Sequence, residues 1–156
     1  MWIEKSPPHT LVASHIADAF PAAQFLAITR NFDDWLRSSV KHSKRTGRLP
    51  SDRPLPRIYL IAKLVAERSL YEAAIDSLKE KYRDRVLHIS YEDLRYQHSE
   101  TKKRIFSFLG TGPLEERLSS KYEPNSSFNS RESRRKESVL SGAEWGWARF
   151  VQSSIS

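Results

Sequence analysis

The feature that most constrains the fold of this chain is the stretch Ala23–His42, in which an apolar run leads directly into an amphipathic pattern. The run Ala23–Ile28 has the length and the side chains of a buried β-strand. Asn31, with Asp34 three residues later, predicts a helix N-cap and its reciprocal partner. The apolar residues of that helix recur on one face: Phe32, Trp35, Leu36 and Val40. We therefore expect a strand and a helix with almost no loop between them.

Arg30 lies at the junction between this strand and this helix. In an open α/β sheet, anions bind at such a junction because free backbone N–H groups and the helix dipole point toward them. A guanidinium fixed there is well suited to bind a phosphate group. The alternative is that Arg30 merely pairs with Asp33 or Asp34 on the surface. The local pattern leaves both interpretations open.

Two further runs of strand length lie on either side of this stretch, at Trp2–Lys5 and at Val86–Ser90. A helical pattern over Thr10–Phe20 separates the first of them from Ala23–Ile28. Strand, helix and strand in so few residues predict a βαβ unit with parallel strands and a right-handed crossover. His88 falls inside the third strand, so we expect it to be a structural histidine of the sheet.

The remaining helical patterns predict packing elements. Arg57–Tyr82 repeats apolar residues at steps of three and four without glycine or proline, and the proline-rich segment Leu49–Pro56 before it predicts an irregular basic loop. A later helix should be capped by Ser99 and stopped by Gly110. We expect one domain over 1–156, with an α/β core over 1–118 and a polar, basic segment over 119–156.

Composition narrows the classes of partner. The chain has 156 residues, a net charge of +7 and a pI near 9.8, which indicates an anionic partner. The basic residues are dispersed among acidic ones, which favours a nucleotide or small anion over a DNA track. The absence of cysteine excludes disulfides and thiolate chemistry. The five histidines lack paired ligand spacing, and no apolar run is long enough to span a bilayer.

Several segments together resemble the 3′-phosphoadenylyl sulfate-dependent sulfotransferases, most closely the tyrosylprotein and glycan-type branches and their bacterial relatives. The similar pieces are Glu4–Pro8, Phe20–Phe25, Arg30-Asn31 with Ser38 eight residues later, Ser90–Leu94 and Phe108–Gly110. Each piece alone is weak, but their order and spacing cover roughly residues 2–130. The resemblance implies a three-layer α/β/α parallel sheet with flanking helices, related to the P-loop NTPase fold.

The resemblance also implies roles for single residues. Arg30 and Ser38 match the pair that holds the 3′-phosphate of the cofactor, and Tyr91 matches a tyrosine that borders the nucleotide. Lys5 matches a catalytic lysine near the sulfuryl group, where a cation stabilises developing charge. Polar residues of the C-terminal region are further candidates for binding the nucleotide: Asn125, Ser127, Asn129, Arg131, Arg134 and Arg135. No metal is implied.

The chain departs from the family pattern in three ways. The phosphosulfate-binding loop and the glutamate general base would precede Met1, and Phe32 replaces the usual proline after Asn31. We therefore expect an N-terminally truncated sulfotransferase domain that supplies the 3′-phosphate side of the nucleotide site. On this hypothesis the chain alone transfers no sulfuryl group.

The expected reaction moves a sulfuryl group from 3′-phosphoadenylyl sulfate (PAPS) to a hydroxyl or amine of a glycan, a peptide tyrosine or a small molecule. One alternative is a non-catalytic α/β module that binds nucleotides, other anions or RNA. A second is a nucleotide-binding α/β domain like those of small-molecule kinases, which the absence of a G-x-x-x-x-G-K-[ST] loop disfavours. No targeting signal occurs in this sequence. We expect a cytoplasmic protein in a prokaryote, or one of the Golgi lumen in a eukaryote.

Overall fold

A computed structural model describes residues 3–48, 54–112 and 139–155. A 3-10 helix at Pro7–Val12 opens the described chain, and a second one at Arg83–Arg85 precedes the second strand. The other elements, in chain order, are α1 (Ala13–Ala19), β1 (Phe25–Thr29), α2 (Phe32–Arg45), α3 (Pro54–Lys81), β2 (Val86–Ser90), α4 (Tyr91–Tyr96), α5 (His98–Leu109) and α6 (Gly142–Ile155).

The sheet in the described residues consists of β1 and β2, which pair in parallel. The register runs from Phe25 opposite Val86 to Thr29 opposite Ser90. Helices α2 and α3 connect the two strands, as a parallel pair requires a long crossover. The strands predicted at Ala23–Ile28 and Val86–Ser90 are thus confirmed within one or two residues.

Helices pack on both faces of this narrow sheet. Phe25 and Val86 face α1 and the C-terminal half of α3, where they pack with Ala13, Ala17 and Leu78. On the opposite face, Leu87 lines a groove with Phe108 and its neighbours on α5. The α/β class is therefore confirmed, while the described residues contain only two strands of the broader sheet that the family resemblance implies.

The main core lies where α2, α3 and α6 meet. Its buried members are Leu36, Val40, Ile61, Val65, Leu140 and Ala148. Leu36 and Val40 belong to the apolar face predicted for the helix after Asn31, which is α2. Phe32 and Trp35, on the same helix, pack against this cluster. Helix α3 thus joins this core at one end and the sheet at the other. Helix α6, which contains Trp145, packs on α3.

Three predictions about local structure are wrong. Residues Ile3–Lys5 form no strand in the described chain, so the first βαβ unit is not formed there. Ile3 is 72% exposed, and the prolines that follow lack the N–H donors that extend a ladder. Ser99 does not cap α5, which begins at His98 after Gln97. The loop predicted over Leu49–Pro56 is wrong at its end, where Pro54 and Pro56 lie in the first turn of α3, a position that tolerates proline. Residues 49–53 of that prediction lie outside the described residues.

Two predicted helix ends are confirmed. Asn31 is the N-cap of α2, and its side-chain oxygen accepts hydrogen bonds from the backbone N–H groups of Asp33 and Asp34. Gly110 ends α5 with a φ of +65°, in the left-handed region where glycine carries no steric penalty.

Across the described ranges, none of the helices combines the length and apolar character needed to cross a bilayer.

Candidate functional site

Arg30 and Tyr91 lie side by side at the carboxyl ends of the two paired strands. Thr29 pairs with Ser90, so the residues that follow them emerge at the same edge of the sheet. The guanidinium carbon of Arg30 lies 5.1 Å from the centroid of the Tyr91 ring, within the range of a cation–π contact. Both side chains are half-buried. The structure therefore brings together two residues that the sequence places 61 positions apart.

The N-terminus of α2 beside Arg30 differs from the sequence expectation. Its N–H groups do not all point freely toward a ligand, because Asn31 Oδ1 accepts from Asp33 N at 2.9 Å and from Asp34 N at 3.3 Å. The N–H of Asn31 itself donates to Glu92 Oε1 at 3.2 Å. Glu92 therefore takes the reciprocal place that we predicted for Asp34. An anion at this edge must be held mainly by side chains.

The peptide group between Arg30 and Asn31 is held at both of its polar ends. Its carbonyl oxygen accepts a hydrogen bond of 2.7 Å from Nη2 of Arg68, on α3. Its N–H donates to Glu92, on α4. Two elements distant in sequence thus fix the turn from which the side chain of Arg30 emerges.

Arg68 is itself strongly constrained. Its side chain is only 13% exposed and bonds to Oε1 of Glu72, one helical turn later, from Nε at 2.7 Å. The guanidinium carbon lies 4.9 Å from the ring centroid of Trp35 and 5.4 Å from that of Phe32. The first turn of α2 therefore packs its aromatic residues on the same guanidinium that holds the carbonyl of Arg30.

Two side chains of α6 also contact the first turns of α2. Arg149 Nη2 lies 3.2 Å from Asp33 Oδ2, and the ring of Trp145 lies 5.0 Å from the guanidinium carbon of Arg37. Asp33, one of the two carboxylates considered as a surface partner for Arg30, is thus in an ion pair with Arg149. Sequence patterns contain no signal for this pair, because 116 residues separate its members.

The other predicted site residues have the following positions. Ser38 is exposed on α2, and Lys5 is exposed in the irregular segment before the first 3-10 helix rather than at a strand end. Of the C-terminal candidates, Asn125, Ser127, Asn129, Arg131, Arg134 and Arg135 all lie outside the described residues. Two of the predicted site residues, Arg30 and Tyr91, are thus joined by a cation–π contact.

His88 has the structural setting that we predicted from its position in a strand. Its Nε2 lies 2.8 Å from Thr29 Oγ1 on the neighbouring strand, and the two groups form a partly buried hydrogen bond. Across the described ranges, no group of three or more His, Cys, Asp or Glu side chains could hold a metal ion.

The ionisable groups with shifted pKa values take part in contacts between elements, α3 with α6 and α1 with the end of α3. Glu144 on α6 accepts from Arg57 Nε on α3 at 2.7 Å, and this hydrogen bond lowers the pKa of Glu144 and raises the pKa of Arg57. On the surface, Asp18 accepts from the hydroxyl of Tyr82 and from Lys81, and these bonds lower the pKa of Asp18.

A comparison with protein-family models matches residues 1–116 to the model described as the sulfotransferase family. The matched range includes Lys5, Arg30, Ser38 and Tyr91. It also includes Arg68 and Glu92, which hold the peptide group after Arg30. No curated protein sequence and no solved structure matches the chain.

Proposed function

Because this chain belongs to the sulfotransferase family, we propose that it binds the nucleotide of PAPS, with Arg30 on the 3′-phosphate. The observation that carries this proposal is the position of Arg30 beside Tyr91 at the ends of two paired parallel strands. Open parallel sheets bind their ligands at this edge. Family membership makes the chain a sulfotransferase in general terms, and the nucleotide site is our extension.

The chemistry of the two side chains supports a phosphate with an attached ring system. A guanidinium presents a planar fork of N–H donors that matches two oxygens of a phosphate. The Tyr91 ring limits the directions that Arg30 can take, and its exposed part offers an apolar surface to a nucleoside. Half-burial of both residues reduces the screening of the arginine by solvent.

Ser38 and Lys5 would complete the site at opposite ends of the cofactor, Ser38 at the 3′-phosphate and Lys5 at the sulfuryl group. Ser38 is exposed about two turns along α2, where its hydroxyl can donate to the same phosphate if Arg30 extends toward the helix. We assign Lys5 to the sulfuryl end of the cofactor, where its ammonium would stabilise charge developing on the leaving phosphate. Asn125, Arg134 and Arg135 remain candidates for further contacts with the nucleotide.

When bound, PAPS supplies an activated sulfuryl group, which passes to a hydroxyl or amine of the acceptor and leaves adenosine 3′,5′-bisphosphate. The sulfur forms a bond to the acceptor as its bond to the phosphate oxygen breaks, and the acceptor proton passes to a base. Our proposal for this chain covers the nucleotide side of that reaction. Arg30 and Ser38 bind the phosphate that does not react, and thereby orient the end that does.

The test is calorimetric titration of the chain with adenosine 3′,5′-bisphosphate and with adenosine 5′-monophosphate, which lacks the 3′-phosphate. We expect the wild type to prefer the bisphosphate and Arg30→Ala to lose that preference. Arg45→Ala is a matched control, because it removes one positive charge from the opposite end of the same helix.

Equal binding of the bisphosphate by the wild type and Arg30→Ala would overturn the proposal. The alternative function, a general anion- or RNA-binding module, predicts a different pattern. In that case the affinity for unrelated RNA would fall steeply with salt, the bisphosphate would have no advantage, and Arg45→Ala would weaken binding as much as Arg30→Ala.

A further inference from the structure

We infer that Arg68 and Glu92 are positioning residues of the nucleotide site, which orient Arg30 by holding the peptide group that follows it. The inference rests on the proposed function, since it assigns to both residues an effect on the phosphate that Arg30 binds. Neither side chain needs to touch the nucleotide. Their contribution is the direction in which the guanidinium of Arg30 points.

The argument begins with the planarity of the peptide group. Because the peptide is rigid, hydrogen bonds to its carbonyl oxygen and to its N–H together fix the orientation of the whole plane. Arg68 holds the carbonyl at 2.7 Å and Glu92 holds the N–H at 3.2 Å, from elements that lie on different sides of the turn. That orientation sets ψ of Arg30 and φ of Asn31, and hence the direction of the Arg30 side chain.

Arg68 can act as a rigid anchor because its own position is determined by packing. Its helix, α3, contributes Ile61 and Val65 to the main core and Leu78 to the core beneath the sheet. Its guanidinium also lies against Trp35 and bonds to Glu72. The side chain of Arg68 therefore loses its conformational entropy when the protein folds, and ligand binding does not have to order it.

Glu92 links the two residues of the proposed site. It directly follows Tyr91 in the first turn of α4, and Ser90 Oγ fixes that turn by accepting from Asp93 N at 2.9 Å. Its bond to Asn31 therefore joins the helix that carries Tyr91 to the turn that carries Arg30. A carboxylate close to a phosphate site would repel the ligand, so its hydrogen bond, rather than its charge, is what benefits binding.

The first experiment compares Arg68→Met with Arg57→Met. Both residues are arginines of α3 with mostly buried side chains, and each donates to a backbone carbonyl and a glutamate, but Arg57 does so with Val139 and Glu144. We expect both variants to lose stability against urea. Only Arg68→Met should weaken binding of adenosine 3′,5′-bisphosphate, on the order of ten-fold. Binding of adenosine 5′-monophosphate should change little.

The second experiment separates the hydrogen bond of Glu92 from its charge. Glu92→Gln keeps an oxygen that accepts from Asn31 N–H, whereas Glu92→Ala removes it. We expect Glu92→Gln to bind the bisphosphate at least as tightly as the wild type and Glu92→Ala to bind it more weakly. Hydrogen exchange at the amide of Asn31 should be faster in Glu92→Ala and unchanged in Glu92→Gln.

Two outcomes would overturn the inference. One is unchanged bisphosphate affinity in folded Arg68→Met, and the other is weakening by Arg57→Met to the same extent. Failure of the inference is distinguishable from failure of the proposed function. If Arg30→Ala loses the preference for the 3′-phosphate while Arg68→Met and Glu92→Ala retain it, the site stands and the positioning roles do not.

Discussion

The guanidinium of Arg68 donates to the carbonyl oxygen of Arg30 over 2.7 Å, although 38 residues separate the two in the sequence. This bond ties the long helix α3 to the turn that ends β1. The same guanidinium packs against Trp35, in the first turn of the helix that follows. Contacts within the protein itself therefore hold the edge of the sheet at which we place the nucleotide.

Removal of the helix cap beside Arg30 should destabilise the protein. In Asn31→Ala, the backbone N–H groups of Asp33 and Asp34 lose their acceptor, so we expect a loss of about 1 kcal/mol in the free energy of unfolding, measured in urea. Asn31→Ser keeps an oxygen at the cap and should retain most of the stability. A destabilisation by serine equal to that by alanine would contradict the capping role.

The ion pair between α3 and α6 should make stability depend on pH. Arg57 lowers the pKa of Glu144 in the folded protein, so the unfolded chain binds more protons at this group. The contribution of Glu144 is therefore complete above its usual pKa of 4.5 and is lost as the pH falls through the lowered folded value. Glu144→Gln should cost about 1–2 kcal/mol at neutral pH and progressively less as the solution becomes acidic.

The measurement is the difference in unfolding free energy between the wild type and Glu144→Gln from pH 7 to pH 3. Glu67→Gln is a suitable control, because the pair Lys63–Glu67 on α3 is exposed and its N–O distance is 3.7 Å. Exposed pairs contribute little, so this control should show almost no difference at either pH. A Glu144→Gln difference that stays constant down to pH 3 would rule out our assignment.

Two glycines should respond in opposite directions to replacement by alanine. Gly110 has a φ of +65°, which alanine adopts only with strain, so Gly110→Ala should cost about 1 kcal/mol. Gly146 lies within α6, and a Cβ there would meet no atom within 4 Å. Gly146→Ala should therefore raise stability by about 0.5–1 kcal/mol. Urea unfolding of both variants measures this, and a shift of the same sign in both would disagree with the structure.

Substitutions on the buried side of α3 should lower the free energy of unfolding more than substitutions on its exposed side. Ile61 is fully buried between α2 and α6, and its replacement by alanine should cost about 2–5 kcal/mol. Leu70, on the same helix, is 60% exposed, and Leu70→Ala should change stability by less than about 0.5 kcal/mol. Thermal or urea unfolding tests the pair. Similar losses in both variants would mean that the helix faces are assigned incorrectly.

Local sequence patterns were sufficient for elements whose stability is decided by their own residues. The cap at Asn31, the stop at Gly110 and the strand Val86–Ser90 were predicted from neighbouring residues and are confirmed. The strand predicted at Trp2–Lys5 was not found over Ile3–Lys5, because a strand needs a partner and local propensity does not provide one. Ser99 is not the cap of α5 because the helix begins one residue earlier, at His98, with Gln97 at the cap position.

By itself, the sequence determined that Arg30 ends an apolar strand and precedes a helix, and it predicted the family that the match over residues 1–116 confirms. Only the tertiary structure decided which groups surround that arginine. Tyr91 reaches it through the register of two parallel strands, and Arg68 and Glu92 hold its following peptide from separate helices. Such contacts depend on how elements pack across long separations in the chain, and local periodicity contains no information about them.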